Sequence, residues 1–315
     1  MTAISEVAAW LKSHDNYLIL THLRPDGDTL GCAGALAQGL RDSGKTAYVL
    51  FNPESTPRYS RFVDEYYAPE EYKHEFVITV DTASLDVFPK NGGGYAGAIS
   101  LSIDHHPSNT LYAEYTYLEE KTASCGEIIY DLLMEMNGSV SAKIADKLYV
   151  ALSTDTGCFA FGNTTGDTLR VASLLVEAGA DHRTLNKQLF RTRTQGRLRM
   201  EGMIFSGLEF FFDGFVAISC ISREMIEAAD ADEDDMDDIA ALPGSIEGVC
   251  VGIIIRELSS THDCKISVRT KAPYDAQKIC AHFGGGGHKL AAGSMIEKTV
   301  SEIKAELHEV LKEIM

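Results

Sequence analysis

Apolar residues in the first half of the chain fall in short blocks, each the length of a buried strand and each closed by turn-forming residues. Tyr17-Leu18-Ile19-Leu20 lies between Asp15-Asn16 and Pro25. Residues 46–51 form a second block that ends at Asn52-Pro53, residues 76–80 a third and residues 98–103 a fourth. Residues 115–118 add a further candidate strand. Between the blocks the apolar spacing turns helical, at residues 7–12, 30–40, 123–136, 142–152, 169–178 and 184–190, with Ser43-Gly44 closing the second of these. Strands alternating with helices predict an α/β fold: an N-terminal domain built on a parallel sheet with helices on both faces.

The pattern changes past Arg191-Thr192-Arg193-Thr194. A helix predicted from about residue 195 to 207 bridges to a region with more hairpin character. Residues 209–212 and 215–221 read as a hairpin around Asp213-Gly214, and residues 249–257 and 265–270 as another strand pair. A helix at 276–283, the run Gly284 to Gly287 with His288, and a closing helix at 300–314 complete the chain. The expected organisation is a domain over residues 1–190, a linking helix over 191–205, and a smaller α/β domain with a mixed sheet over 206–315. No repeat of fixed period interrupts it.

A chain of 315 residues suits two domains and can bury ample core. The seven cysteines are scattered, with no CxxC pair, which favours buried thiols in a reducing compartment over a structural zinc site. No apolar run is long enough to span a bilayer, and residues 1–14 lack the basic start and apolar core of a signal peptide, so a cytoplasmic location is expected. The net charge of −18, from 46 acidic and 28 basic residues, argues against a broad basic groove for long duplex nucleic acid. A small anionic substrate remains compatible, because metal ions and a few arginines can make one cleft positive on an acidic body. The acidic stretch 230–238 starts like a calcium loop, but Asp235 stands where the turn glycine belongs and Ala241 where the bidentate glutamate belongs. A hydrated charge block is the expected reading.

Chemistry concentrates where the apolar blocks end. His22, Asp26 and Asp28 follow the first strand, Asp81 the third, and Asp104-His105-His106 the fourth; Asp155 lies just beyond the helical stretch that ends near Leu152. Each segment alone has a plain explanation. Asp28 could cap the helix that follows it, and aspartates are common in turns. Together they bring hard oxygen and imidazole donors to the carboxyl edge of an open sheet, where α/β folds bind ligands. Such donors, without thiolates, suit manganese, magnesium, iron or zinc, and their number suits a pair of ions.

These segments resemble the motifs of the DHH phosphoesterases: His22-Leu-Arg-Pro-Asp26-Gly-Asp28, Asp81, Asp104-His105-His106 and Asp155, in the family's order. Gly285-Gly286-Gly287-His288 followed by Ala291-Ala292-Gly293 resembles the associated C-terminal domain of the subgroup with RecJ nucleases and nano-RNases. The likeness extends over essentially the whole chain and is most similar to the stand-alone oligoribonuclease and 3′-phosphoadenosine-5′-phosphate phosphatase branch. It implies two divalent cations, Mn²⁺ foremost with Mg²⁺ as the alternative. His22, Asp26 and Asp81 would hold one; Asp28, Asp81, His105 and Asp155 the other, with Asp81 shared. Asp104 would orient its neighbours, and His106 would face the scissile phosphate. Arg269, the segment Gly285-Gly286-Gly287-His288 and Ser124 would contact substrate, although Arg269 alone could be a solvated strand residue and Ser124 alone a helix cap.

The implied activity is hydrolysis of short RNA or DNA oligonucleotides and linear dinucleotides such as pApA and pGpG to mononucleotides by two-metal hydroxide attack, with 3′-phosphoadenosine 5′-phosphate as a second substrate. A cyclic dinucleotide phosphodiesterase and a noncatalytic nucleotide sensor are the alternatives. Apolar patches on the first domain could pair two copies as a homodimer. No membrane partner is expected.

Overall fold

The computed structural model describes residues 3–232, 234–236, 238–258 and 263–314. Two positions of the acidic stretch, 233 and 237, and the first two residues of the N-terminal segment therefore lie outside it. The chain divides into two compact units, Met1–Thr192 and Arg193–Met315.

The first unit holds β1 (Tyr17–Leu20), β2 (Ala47–Val49), β3 (Phe76–Val80), β4 (Ile99–Asp104) and β5 (Tyr115–Leu118), and helices α1 (Ile4–Ser13), α2 (Gly27–Asp42), α3 (Pro57–Ser60), α4 (Cys125–Asn137), α5 (Ala142–Asp155), α6 (Gly166–Glu177) and α7 (His182–Asn186). The strands form one sheet, ordered β2-β1-β3-β4-β5, with every neighbouring pair parallel. Side chains alternate across a strand. Tyr17, Ile19, Ile78, Val80, Leu101 and Ile103 accordingly face a core closed by α1, α2, α4 and α5. Leu18, Leu20, Val77 and Ile99 face the other way, onto Phe88, Tyr95 and Tyr112. Helical cover on that second face is reduced to the one-turn 3-10 helices Leu85–Val87 and Gly93–Tyr95. The strand order reverses between β1 and β3, which opens a crevice at their carboxyl ends.

Glycine lets the helices of the first face approach closely. A Cβ at Gly31 of α2 would lie 2.5 Å from the Lys147 carbonyl oxygen of α5, and one at Gly126 of α4 would lie 2.7 Å from the Ala151 Cβ of α5. Any larger residue would push apart the three helices whose ends carry Asp28, Ser124 and Asp155.

The second unit is a six-stranded mixed sheet of β6 (Glu209–Phe211), β7 (Val216–Ile221), β8 (Val251–Glu257), β9 (Asp263–Thr270), β10 (Gly286–His288) and β11 (Ala291–Glu297), ordered β10-β11-β9-β8-β7-β6. Only β7 and β8 run parallel among these neighbours. One face packs on α10 (Ala276–His282) and α11 (Val300–Ile314), and the other on α8 (Gln195–Ser206) and α9 (Arg223–Ala229). The stretch read as a linking helix thus belongs to the core of the second unit, where Met200 and Ile204 of α8 pack with Ile221 and Ile254.

The acidic stretch is not a freely hydrated block. Asp235 is buried; its carboxylate accepts from the Thr194 hydroxyl at the start of α8, and Met236 and Ile239 enter the core beside it. Residues 286–288 of the glycine run and residues 291–297, to which the apolar pattern assigns no element, form the hairpin β10–β11. Among the described residues no helix is long and apolar enough to cross a membrane.

Candidate metal centre

The carboxyl edge of the parallel sheet collects the charged residues of four chain segments. β1 runs into His22, and Asp26 then caps α2, its Oδ1 accepting from the backbone N–H groups of Asp28 and Thr29 at 3.0 and 3.1 Å. That cap turns the chain so that Asp28 stands in the first helical turn. Asp81 leaves β3 with a left-handed backbone (φ +53°), a conformation rare for a residue other than glycine and common at working sites. Asp104 ends β4 and carries His105 and His106. Asp155 ends α5.

The side chains converge. His22 Nε2 lies 3.6 Å from Asp26 Oδ1 and 3.7 Å from Asp81 Oδ2. His105 Nε2 lies 3.4 Å from Asp81 Oδ1, 3.6 Å from Asp155 Oδ2 and 3.9 Å from Asp28 Oδ2. Two trios thus have donor atoms mutually close enough for one ion each: His22, Asp26 and Asp81, and Asp28, His105 and Asp155. A third trio, Asp81, His105 and His106, overlaps both.

Hydrogen bonds behind the cluster decide which atoms face it. His22 Nδ1 meets the Leu23 carbonyl oxygen at 2.8 Å, and His105 Nδ1 meets the Thr122 carbonyl oxygen at 3.2 Å. A carbonyl can only accept, so each ring donates from Nδ1 and turns Nε2 toward the carboxylates; burial disfavours a proton there, but the neighbouring carboxylates outweigh it and raise both imidazoles, and a bound cation would take that proton's place. His106 differs. Its Nδ1 is 2.8 Å from Asp104 Oδ1, which leaves Nε2 pointing away. Asp104 is fully buried and also accepts from the His105 backbone and from Asn109 Nδ2 at 2.7 Å. These bonds and His106 hold its acidity in the stronger-acid direction despite burial.

Asp28 is held most firmly. The Cys32 thiol, the Ser124 hydroxyl and the Gly126 N–H donate to its Oδ1 at 3.0–3.1 Å, and the Cys125 N–H donates to Oδ2 at 2.8 Å. The carboxylate therefore sits at the N-terminus of α4, where free N–H groups and the helix dipole favour negative charge. Ser124 has no exposed surface. It caps α4, accepting from the Gly126 N–H at 2.9 Å, and donates to Asp28. The expected contact between Ser124 and substrate is corrected accordingly: its hydroxyl is committed to a site carboxylate. Cys32, beside it, is pushed well above the usual thiol range by burial, by Cys125 and by Asp28, and stays a protonated donor.

The cluster is electrostatically unbalanced as a set of side chains alone. Burial, then Asp28, Asp26 and Asp155, push Asp81 well above the usual carboxylate range. Burial and Asp28 likewise push Asp155 up to about 8. Asp28 is raised by burial and by Asp26, against the opposing pull of His105. Asp81 Oδ1 is buried with no hydrogen-bond partner among the described residues. An orphaned buried carboxylate oxygen facing two imidazoles, within a group of like charges, is the arrangement that divalent cations would satisfy, and the oxygen and nitrogen donor set fits hard or borderline ions.

The other expected contacts lie in the second unit. Arg269 on β9 stands opposite Ala291 of β11, which stands opposite His288 of β10. Directly opposed residues share a face, so the two cationic-type side chains flank Ala291 at about 10 Å, two strand spacings. The glycines differ in their duties. A Cβ at Gly285 would lie 2.3 Å from the Gly293 carbonyl oxygen, and Gly287 has φ +143° with Ala291 against it, whereas Gly286 has open space. Arg193, at the start of this unit, pairs with Glu201 at 3.0 Å.

The model of the DHH family, N-terminal domain, matches residues 16–152, and that of the DHHA1 domain matches residues 213–315. The chain is 31% identical over 282 residues to the bifunctional oligoribonuclease and PAP phosphatase NrnA of Thermus thermophilus, covering 89% of this chain and 83% of that protein. It is 26% identical over 316 residues to NrnA of Bacillus subtilis, covering 98% and 99%. An exopolyphosphatase-related protein from Bacteroides fragilis has the same fold, with a TM-score of 0.89 at 22% identity over 98% of this chain and 95% of that one. RecJ of Thermus thermophilus, solved with Mn²⁺, shares the fold more distantly, with a TM-score of 0.53 at 13% identity over 98% of this chain and 54% of that one.

Proposed function

The chain belongs to the DHH family, and on that footing we propose that it is a divalent-metal-dependent phosphodiesterase that cuts short oligonucleotides and linear dinucleotides such as pApA to mononucleotides. The observation that carries this reading is Asp81: a buried carboxylate with an orphaned oxygen at the meeting point of two ligand trios. The names of the NrnA relatives, oligoribonuclease and PAP phosphatase, support the substrate class and motivate 3′-phosphoadenosine 5′-phosphate as a second substrate.

In this reading His22, Asp26 and Asp81 hold one cation and Asp28, Asp81, His105 and Asp155 the other. When bound, such ions lower the pKa of water and offset charge on phosphoryl oxygens. The protein's own part is to aim and to hold. The carbonyls of Leu23 and Thr122 fix the two ligating imidazoles, and α4 with Ser124 fixes Asp28. Asp104 fixes His106 through Nδ1, which leaves Nε2 as the atom that meets the scissile phosphate. Arg269 and His288 supply donors for a terminal phosphate, Arg269 through its fork of N–H groups.

Product chromatography of metal-stripped protein with 5′-pApA tests the reading. AMP that appears only when Mn²⁺ or Mg²⁺ is added supports it. Tight pApA binding without product in either metal would favour a nucleotide sensor, and turnover of cyclic but not linear dinucleotides would favour the cyclic phosphodiesterase.

A further inference from the structure

The segment that leaves Asp155 is folded at unusual conformational expense. Gly157, Cys158 and Phe159 are consecutive residues with φ of +56°, +57° and +66°, and two of the three carry side chains that disfavour that region. Strain of this kind persists only where the surroundings over-determine it, and it gathers at working sites. Here the surroundings do. The Thr156 carbonyl oxygen accepts from the N–H groups of both Ala160 and Phe161 at 2.9 Å, and the Ser153 carbonyl oxygen accepts from Cys158 N–H at 2.7 Å. Thr156 Oγ1 accepts from Phe159 N–H at 3.1 Å. Asn163 Nδ2 donates to the backbone carbonyl oxygens of Asp155 and Ala123 at 3.1 and 3.2 Å, tying the far end of the loop back to the main chain at the end of α5 and just before α4.

The two aromatic rings of this loop have opposite fates. Phe159 turns inward against Tyr149, at 5.8 Å between centroids. Phe161 turns outward and is 58% exposed. Yet it is braced, since a Cβ at Gly157 would lie 2.4 Å from its Cε1 and Cζ atoms. Water contact with a large apolar ring is unfavourable, and this ring is at once exposed and braced on a loop held by at least six hydrogen bonds. A ring braced on Gly157, two residues past Asp155 of the carboxylate cluster, has a use if the cluster binds nucleotides, because bases stack on aromatic side chains whatever their identity.

We propose that the Phe161 ring is the platform on which one base of the bound nucleotide stacks, so that it sets affinity for substrates by the presence of that base. This rests on the nucleotide reading given above. The ring lies outside the reacting atoms; its effect falls on binding, and chemistry at the metal centre proceeds without it.

The test is steady-state kinetics of the full chain with Mn²⁺ on pApA and on its two analogues that each lack one base. The variants are Phe161→Leu, which keeps apolar packing on Gly157 without a π face, Phe161→Tyr, which keeps the ring, and Leu169→Ala, which removes an exposed apolar side chain of α6. Phe161→Leu should raise KM for pApA about tenfold with kcat nearly unchanged, and Phe161→Tyr and Leu169→Ala should leave both near wild type. On one analogue the wild type should itself show the raised KM, and Phe161→Leu should add nothing further. Equal KM for wild type and Phe161→Leu, or penalties that add in full on both analogues, would overturn the stacking role while the phosphodiesterase stands. A fall in melting temperature in Phe161→Leu with unchanged base dependence would also overturn it and make the ring a structural brace. No turnover of pApA by the wild type would overturn the nucleotide reading itself, and this proposal with it.

Discussion

At their candidate functional residues the two units treat charge in opposite ways. The first buries it: Asp28, Asp81 and Asp104 are at most 2% exposed, and each is aimed by hydrogen bonds or by a strained backbone. The second leaves Arg269 half-buried and His288 exposed on a strip of sheet, across from an alanine and beside glycines. Buried like charges are costly unless something of opposite sign joins them, so the first region makes sense as a centre completed by cations. Half-exposed donors cost little to keep and can adapt to their ligand. In the proposed reading, chemistry and substrate capture would fall on separate sheets, one rigid and demanding, the other permissive.

The comparison breaks most readily at Asp81. Asp81→Asn keeps the shape and removes the shared ligand, so kcat should fall by about a thousandfold or more, the loss expected when several kcal/mol of charge stabilisation disappear. Added Mn²⁺ should raise the melting temperature of the wild type and raise that of the variant far less. The other side of the comparison predicts a different signature. Arg269→Ala should raise KM for pApA by about ten- to a hundredfold, since hydrogen bonds to charged groups contribute about 1.5–3 kcal/mol, with a smaller change in kcat. Equal falls in kcat for both variants would erase the division of labour.

Ser124→Ala sharpens the comparison within the first unit. It removes one of four donors to Asp28 without touching a ligand, and metal affinity measured by titration should drop about tenfold or somewhat more. The smallest effect concerns pH. Asp155 titrates near 8 in the metal-free protein and at the ordinary carboxylate value when unfolded. The folded state therefore binds more protons between those two values, so stability falls as pH rises from about 4 toward about 8. Asp81 and Asp28 are shifted in the same direction. Thermal melts of metal-stripped protein between pH 5 and 8.5 should show this decline, and Asp155→Asn should flatten part of it.

Much of this division was visible along the chain. Apolar blocks ending in His22, Asp81 and Asp104 marked a carboxyl edge because strand ends and turn residues are local signals. The supporting side chains were not visible in the same way. Ser124 and Cys125 reach Asp28 across 96 and 97 residues, and no local pattern encodes such a meeting. Asn109 sits only five residues beyond Asp104, and its amide looks like any polar loop residue until the turn brings them together. The glycine run hid a strand, since two glycines followed by one histidine carry no alternation to read; only the packing of Gly285 and Gly287 on β11 reveals why glycine is required. The acidic stretch misled for a similar reason: composition reported charge, while Met236, Ile239 and the Thr194 hydroxyl decided burial.

In the proposed reading the buried cluster is a two-cation centre joined by Asp81. Equilibrium dialysis of metal-stripped protein against Mn²⁺ tests it most directly, with proton release followed in weakly buffered solution near pH 7. Two ions should bind per chain with release of protons from the raised carboxylates, and binding at both positions should weaken in Asp81→Asn. Failure to bind, or unchanged affinity and stoichiometry in Asp81→Asn, would contradict it.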